Sequence, residues 1–216
     1  MDLPSSVTGT LYSSMLFNFS SLDGSSTSLS SMRVATNQSL SNGDSPRLST
    51  YAKSQNTTLY RPGVDYNSGS ISTAGQTLAA DTTYMAISIF ENVGTALSAE
   101  NQGEASVYVL NEDQFEDFVA NGRSEINLTG RSTGSGSNQV TSFTTDTVTS
   151  GTYTFANGNF MGLASYSYPF SVTLEGTYDE LRWGTDLDSV TVIPEPSTLV
   201  LMGLSLLGLA LYRRKR

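Results

Sequence analysis

Thr83-Tyr-Met-Ala-Ile-Ser-Ile-Phe-Glu91 is apolar on both faces when drawn as an extended chain. Successive side chains of a strand point to opposite sides, so Tyr84, Ala86 and Phe90 need cover on one side and Met85, Ile87 and Ile89 on the other. A run of this kind belongs in the middle of a sandwich. Working outward, Ala105 to Leu110 is the expected hairpin partner, because Asn92 to Gly103 supplies turn residues and enough length to connect the two.

Leu11 to Phe19 alternates imperfectly between Ser-rich stretches and predicts a strand, with shorter ones at Arg47 to Lys53 and Leu59 to Val64. Val140 to Val148 and Thr152 to Phe155 read as a hairpin across Ser150-Gly151. Phe170, Val172 and Leu174 alternate with Ser171, Thr173 and Glu175, and Tyr178 to Trp183 and Ser189 to Val192 complete the sheet. About nine or ten short strands at this spacing indicate an all-β fold, a β-sandwich. Glu112 to Ala120 breaks the pattern. Phe115, Phe118 and Val119 recur there at helical spacing among acidic residues, which predicts a short helical insertion with Asn121-Gly122 as its stop. Local disorder is expected from Asp23 to Ser45 and from Arg131 to Asn138, where polar and glycine-rich composition dominates.

The 216 residues carry a net charge of −9, with no histidine and no cysteine. Four of the eleven basic residues occupy the last four positions, so the rest is more acidic than that figure conveys. Such a surface repels nucleic-acid phosphates and anionic lipid heads. A Ser-His-Asp triad, a thiol nucleophile, an ordinary zinc site and a disulfide are all excluded by composition.

Leu199 to Tyr212 is uncharged and is followed by Arg213, Arg214, Lys215 and Arg216. As a helix this run covers roughly 21 Å at 1.5 Å per residue, against a hydrocarbon core of about 30 Å. Adding Pro196 to Thr198 makes it a marginal spanner that needs local thinning or outward-reaching flanks. Leucines surround the whole cylinder, so no polar face is left for a core helix, and a basic cluster beside an apolar segment stays on the cytoplasmic side. Upstream, Pro194 and Pro196 bias Ile193 and Glu195 toward extended backbone, open to a protease, and let a helix begin only after Pro196.

Pro194-Glu195-Pro196, the apolar stretch and the terminal basic cluster together resemble the PEP-CTERM sorting signal of exported Gram-negative bacterial proteins. That resemblance implies recognition by exosortase, a membrane-embedded protease-transpeptidase, and processing near Pro194 to Pro196. It also implies transfer across the inner membrane, with the mature form at the cell surface or outside the cell. A temporary tail of this type leaves no spanning helix in the mature protein. The expected organisation is an exported body over 1–192 and a sorting signal over 193–216, with its membrane segment at 197–212 and basic tail at 213–216. Met1-Asp2-Leu3-Pro4 has neither the basic nor the apolar region of a secretory signal peptide, so the true start is expected upstream.

The stretch Tyr178 to Val192, with Asp179, Glu180, Trp183, Asp186 and Asp188, is also similar to the closing region of laminin-G-like, concanavalin-type sandwiches. The resemblance implies a jelly-roll-like body and brings glycan chemistry into view. Paired carboxylates could serve glycan cleavage; the clusters are Glu112, Asp113, Glu116 and Asp117, and Asp179, Glu180, Asp186 and Asp188. On a helix Glu112 and Glu116 share a face and repel, which suits a solvated surface better than a reacting pair. Asp186 and Asp188, two apart in an expected turn, are candidate calcium ligands, but a hard cation needs more oxygens than two. Tyr166, Tyr168 and Trp183 are candidate stacking platforms for a sugar, with burial as the competing role.

The resulting expectation is a non-enzymatic exported protein with no required cofactor. It would be sorted by exosortase and would have a structural or adhesive body that meets extracellular polysaccharide. Two alternatives stay open: a glycan-active enzyme on the same fold, and a permanently anchored single-pass membrane protein.

Overall fold

The computed structural model describes residues 7–22, 29–35, 47–54, 59–65, 72–73, 77–133, 140–152, 160–166 and 174–191. The first strands are β1 (Gly9–Leu22), β2 (Leu29–Ala35), β3 (Arg47–Ser54), β4 (Leu59–Asp65), β5 (Ser72–Thr73) and β6 (Leu78–Ala79). Next come β7 (Tyr84–Val93), β8 (Ala96–Leu97), β9 (Gly103–Leu110) and the helices α1 (Glu112–Ala120) and α2 (Glu125–Thr133). The described chain closes with β10 (Ser142–Val148), β11 (Gly151–Thr152), β12 (Phe160–Tyr166), β13 (Leu174–Gly184) and α3 (Leu187–Thr191).

The all-β reading holds. β7 is the central strand of a five-stranded sheet ordered β10-β9-β7-β1-β13, and every residue from Tyr84 to Phe90 is buried. A second sheet runs β12-β2-β3-β4-β5 with β6 also on β4, and β8 pairs with β11. All the strand pairs are antiparallel.

Register explains why β7 is apolar on both faces. Leu11 lies opposite Phe90, Met15 opposite Ala86 and Phe17 opposite Tyr84. These residues, with Val107, Val109 and Trp183, pack against Val64 of β4 and Leu78 of β6, so the two sheets share this core. On the reverse face Tyr12 pairs with Ile89 and Leu16 with Met85. That face is covered by Phe115 and Phe118 of α1, Leu128 of α2, and Leu187 and Val190 of α3. Full burial of each such side chain contributes on the order of 1.5–3 kcal/mol. Two cores back to back make the five-stranded sheet the spine of the molecule.

α1 forms where the spacing predicts it, and its ends are well closed. The Asn111 carboxamide accepts from the Gln114 N–H at 3.0 Å, and the Gln114 side chain accepts from the Asn111 N–H at 2.9 Å. This reciprocal pair satisfies two of the donors that a helix start leaves open. Glu112 and Asp113 occupy the first turn, and the Asn121 N–H closes the other end on the Asp117 carbonyl.

Four expectations are corrected. Ser189 to Val192 is not a strand: residues up to Thr191 lie in α3, because Leu187, Val190 and Thr191 fall at helical spacing and are buried together. Most of the Val140 to Val148 run pairs with β9, from Ser142 opposite Val109 to Val148 opposite Gly103, while β11 crosses to β8. Among the described residues β10 and β11 are thus not paired across Ser150-Gly151, and residues 153–155 of the predicted second strand lie outside them. Within the stretch read as disordered from Asp23 to Ser45, β2 is a strand held between β12 and β3. In the other such stretch, Arg131 is a buried residue of α2, a helix the composition did not signal, while 134–138 lie outside the described residues.

Candidate functional site

Among the described residues, acidic groups gather at three places. The first is a cleft of about 690 Å³ at the start of α1. Leu16, Tyr84, Met85 and Phe115 form an apolar floor, and Asp81, Glu112, Asp113 and Glu116 form an acidic rim with no lysine or arginine among the lining residues. Asp81 sits at φ +58 with its N–H on the Phe19 carbonyl at 2.8 Å, which fixes its place on the rim. Glu112, Asp113 and Glu116 are solvent-exposed, as a charged helix face requires. Asp117, the fourth member of the predicted cluster, turns away from them to Arg131 of α2, 2.6 Å distant.

The second place is the start of α3. The Asp186 carboxylate accepts from the Ser189 N–H at 3.1 Å and thereby caps the helix. Asp188 lies exposed in the first turn. Asp179 accepts from the Glu180 N–H at 2.8 Å and Glu180 pairs with Arg182 at 2.7 Å, both on β13. Each of Asp179, Glu180 and Asp186 thus has a local partner. Among the described residues no three Asp, Glu, His or Cys side chains converge as a metal-binding group.

The third place lies beside α2, and sequence reasoning missed it. Glu91 of β7, Glu104 of β9 and Glu125 of α2 are close enough for their charges to interact. Partial burial first, and then the neighbouring Glu104 and Glu125, push the Glu91 carboxyl above the usual carboxylate range. The Tyr12 hydroxyl donates to Glu125 Oε1, and burial together with that hydrogen bond holds the Tyr12 phenol well above its ordinary value. Tyr108, also raised by burial, reaches Thr129 of α2 at 3.5 Å. This arrangement ties α2 to the sheet through tyrosine hydroxyls. The signal in the sequence was Tyr12 and Tyr108 standing on the apolar helix-facing side of β1 and β9.

Trp183 is buried, with its ring stacked on Phe90 at 5.9 Å and an interplanar angle of 16°. Its face is thus spent inside the core, and its Nε1 has no hydrogen-bond partner among the described residues. Tyr166 ends β12 opposite Leu29, and Tyr168 lies outside the described residues. Pro194, Glu195, Pro196 and the cluster Arg213, Arg214, Lys215 and Arg216 also lie outside them, as does the proposed membrane segment 197–212. Among the described residues no helix is long and apolar enough to cross a membrane.

The body ends its described course at a fixed point. Val190 and Thr191 are fully buried, and the Ser14 hydroxyl of β1 donates to the Val190 carbonyl. The Thr191 hydroxyl donates back to the Leu187 carbonyl at 2.9 Å. Residues 192–216, starting at the next residue, match the family model of the PEP-CTERM protein-sorting motif. That match supports an exported, exosortase-sorted protein. No curated protein and no solved structure matches the chain.

Proposed function

We propose that this chain is an exosortase substrate whose acidic β-sheet body is delivered outside the cytoplasm to serve a structural or adhesive role. The observation that carries the reading is the sorting motif at residues 192–216, joined without a spacer to the buried end of α3. In this reading the segment 197–212 engages the inner membrane, Arg213 to Arg216 hold its end on the cytoplasmic side, and processing occurs near Pro194 to Pro196. The mature body then lies at the cell surface or in the extracellular polysaccharide of a Gram-negative cell. A non-enzymatic role is supported at Asp117 and Glu180, which are bound to arginines, and at Asp186, which caps a helix, while Asp81, Glu112, Asp113 and Glu116 share the rim of the cleft. A concanavalin-type relationship for the body remains part of this proposal, supported by two antiparallel sheets that share one core.

The test is mass spectrometry of the C-terminus after expression of the full chain in cells with and without an exosortase. The expected result is a product ending well short of Arg216 only where the enzyme is present. A chain ending at Arg216 in both hosts and retained in the membrane fraction would replace this reading with permanent anchoring.

A further inference from the structure

The register of the second sheet sorts its charged residues onto one face. In β4 the even positions belong to the shared core: Val64 is buried there, and Tyr60 lies opposite the buried Leu78 of β6. The odd positions belong to the other face, where Ala79, opposite Leu59, is exposed. Gly63, on that face but without a side chain and paired on both sides, is buried. Residues directly opposite one another share a face, so pairing carries the assignment across the sheet. Thr50 lies opposite Val64, Leu48 opposite Val34 and Val34 opposite Met161. No charged residue occupies this core face on β12, β2, β3 or β4.

The other face collects Arg33 of β2, Arg47 and Lys53 of β3, and Arg61 of β4. These are four of the seven basic residues that precede the terminal cluster. Of the other three, Arg131 and Arg182 are bound to carboxylates. Lys53 stands directly opposite Arg61, and the one acidic residue on these four strands is Asp65, opposite Ser49. Like charges directly opposite destabilise a sheet, a cost that a bound anion removes. Tyr51, Phe160 and Tyr166 hold positions on the same face. The six residues from Arg47 to Lys53 span about 20 Å of strand, and β2 to β4 about 10 Å of width.

We propose that this face of the second sheet binds a carboxylate-bearing polysaccharide, one chain lying along the strip from Arg47 to Lys53 and Arg61. The inference rests on the reading of the body as exported and names its partner. A guanidinium presents a planar fork that takes a carboxylate bidentately. An aromatic ring offers an apolar face to a sugar, and tyrosine adds a hydroxyl. The strip is narrow and is set in a chain of net charge −9. A bilayer or a nucleic-acid duplex presents its anions over a broader front and meets the surrounding acidic residues as well. A single glycan strand follows the strip alone.

The experiment measures binding of the full chain, kept in a non-ionic detergent, to immobilised polygalacturonate and to neutral dextran by biolayer interferometry. The unaltered chain should bind polygalacturonate, less tightly as salt rises, and leave dextran unbound. A variant carrying Arg33→Gln, Arg47→Gln, Lys53→Gln and Arg61→Gln should bind at least about tenfold more weakly. Its urea midpoint should stay level or rise, because the opposed Lys53 and Arg61 are gone. Lys53→Gln alone, the milder change, should weaken binding at least about twofold. A variant carrying Arg213→Gln, Arg214→Gln, Lys215→Gln and Arg216→Gln should bind as the unaltered chain does, and so should Arg123→Gln. Undiminished binding by the fourfold face variant would overturn the proposal, as would equal binding to dextran or a loss confined to the tail variant. Tighter binding to duplex DNA than to polygalacturonate would make the face a nucleic-acid site and overturn it too. Exosortase-dependent processing of a chain that ignores polygalacturonate would remove this inference and leave the sorting reading standing. Binding without processing would keep the face and overturn the sorting reading.

Discussion

The guanidinium of Arg131 on α2 meets the carboxylate of Asp117 on α1 at 2.6 Å, with Arg131 only 6% exposed. Its Nε also donates to Asn127 at 2.9 Å. Removing the carboxylate leaves a buried cation short of an acceptor, a larger loss than the pair itself contributes. Asp117→Ala is expected to destabilise the body by about 1–3 kcal/mol, read from urea unfolding. Glu116→Ala, one residue away on the solvated face, should stay within about 0.5 kcal/mol of the unaltered chain.

Glu91 sets a pH dependence of unusual sign for a carboxylate. Its folded value lies above the ordinary one because of partial burial and the nearby Glu104 and Glu125. Between the unfolded and folded values the native state binds more protons than the unfolded state, so stability falls as pH rises through that window. Denaturation midpoints measured upward from about pH 4 should drop more for the unaltered chain than for Glu91→Gln. Parallel curves would show that Glu91 titrates alike in both states.

Trp183 is the chain's single tryptophan, and its ring is stacked on Phe90 within the core. Emission of the folded protein should be blue-shifted and unchanged by added polysaccharide, then move to the red on unfolding. Trp183→Ala should cost about 3–5 kcal/mol. Trp183→Phe should cost less, because it keeps the stack and removes an indole N–H that has no partner among the described residues. A polysaccharide that quenches the emission of the folded protein would return Trp183 to the candidate ligand platforms.

Gly94, in the turn after β7, has φ +76, and a Cβ there would lie 2.5 Å from the Val7 carbonyl oxygen. Gly94→Ala combines an unfavourable backbone region with a clash against main chain that cannot step aside. A loss of more than about 1 kcal/mol is expected, seen as a lower thermal midpoint.

The strands that carry two buried faces were legible in the sequence, β7 and β9 above all, since nothing but a core explains Tyr84 to Phe90. α1 was legible because Phe115 and Phe118 recur at helical spacing and Asn121-Gly122 ends the run. α2 was not. Glu125 to Thr133 contains Asn127, Thr129 and Gly130, poor helix formers, and a single large apolar anchor, Leu128; its helix is held by partners distant in sequence, Tyr12 and Asp117. α3 misled for another reason. Ser189, Val190 and Thr191 alternate like a strand, and five residues are too few for the spacing of Leu187, Val190 and Thr191 to stand out. β2 was hidden because its signal lies in pairing on both sides rather than in its own residues. Of the candidate sites, the sorting motif was readable from residue order alone. The tyrosine and glutamate contacts beside α2 needed three elements to be brought together.

β13 forms one border of the five-stranded sheet, and that border is broken rather than straight. Its pairing with β1 slips between Ser14 and Leu16 and again between Phe19 and Ser21, and Glu180 turns through φ +52 between Asp179 and the ion-paired Arg182. A second copy arriving alongside this border would find its row of amides and carbonyls interrupted at Asp179 and Glu180. Edge-to-edge pairing of two copies through β13 is therefore disfavoured.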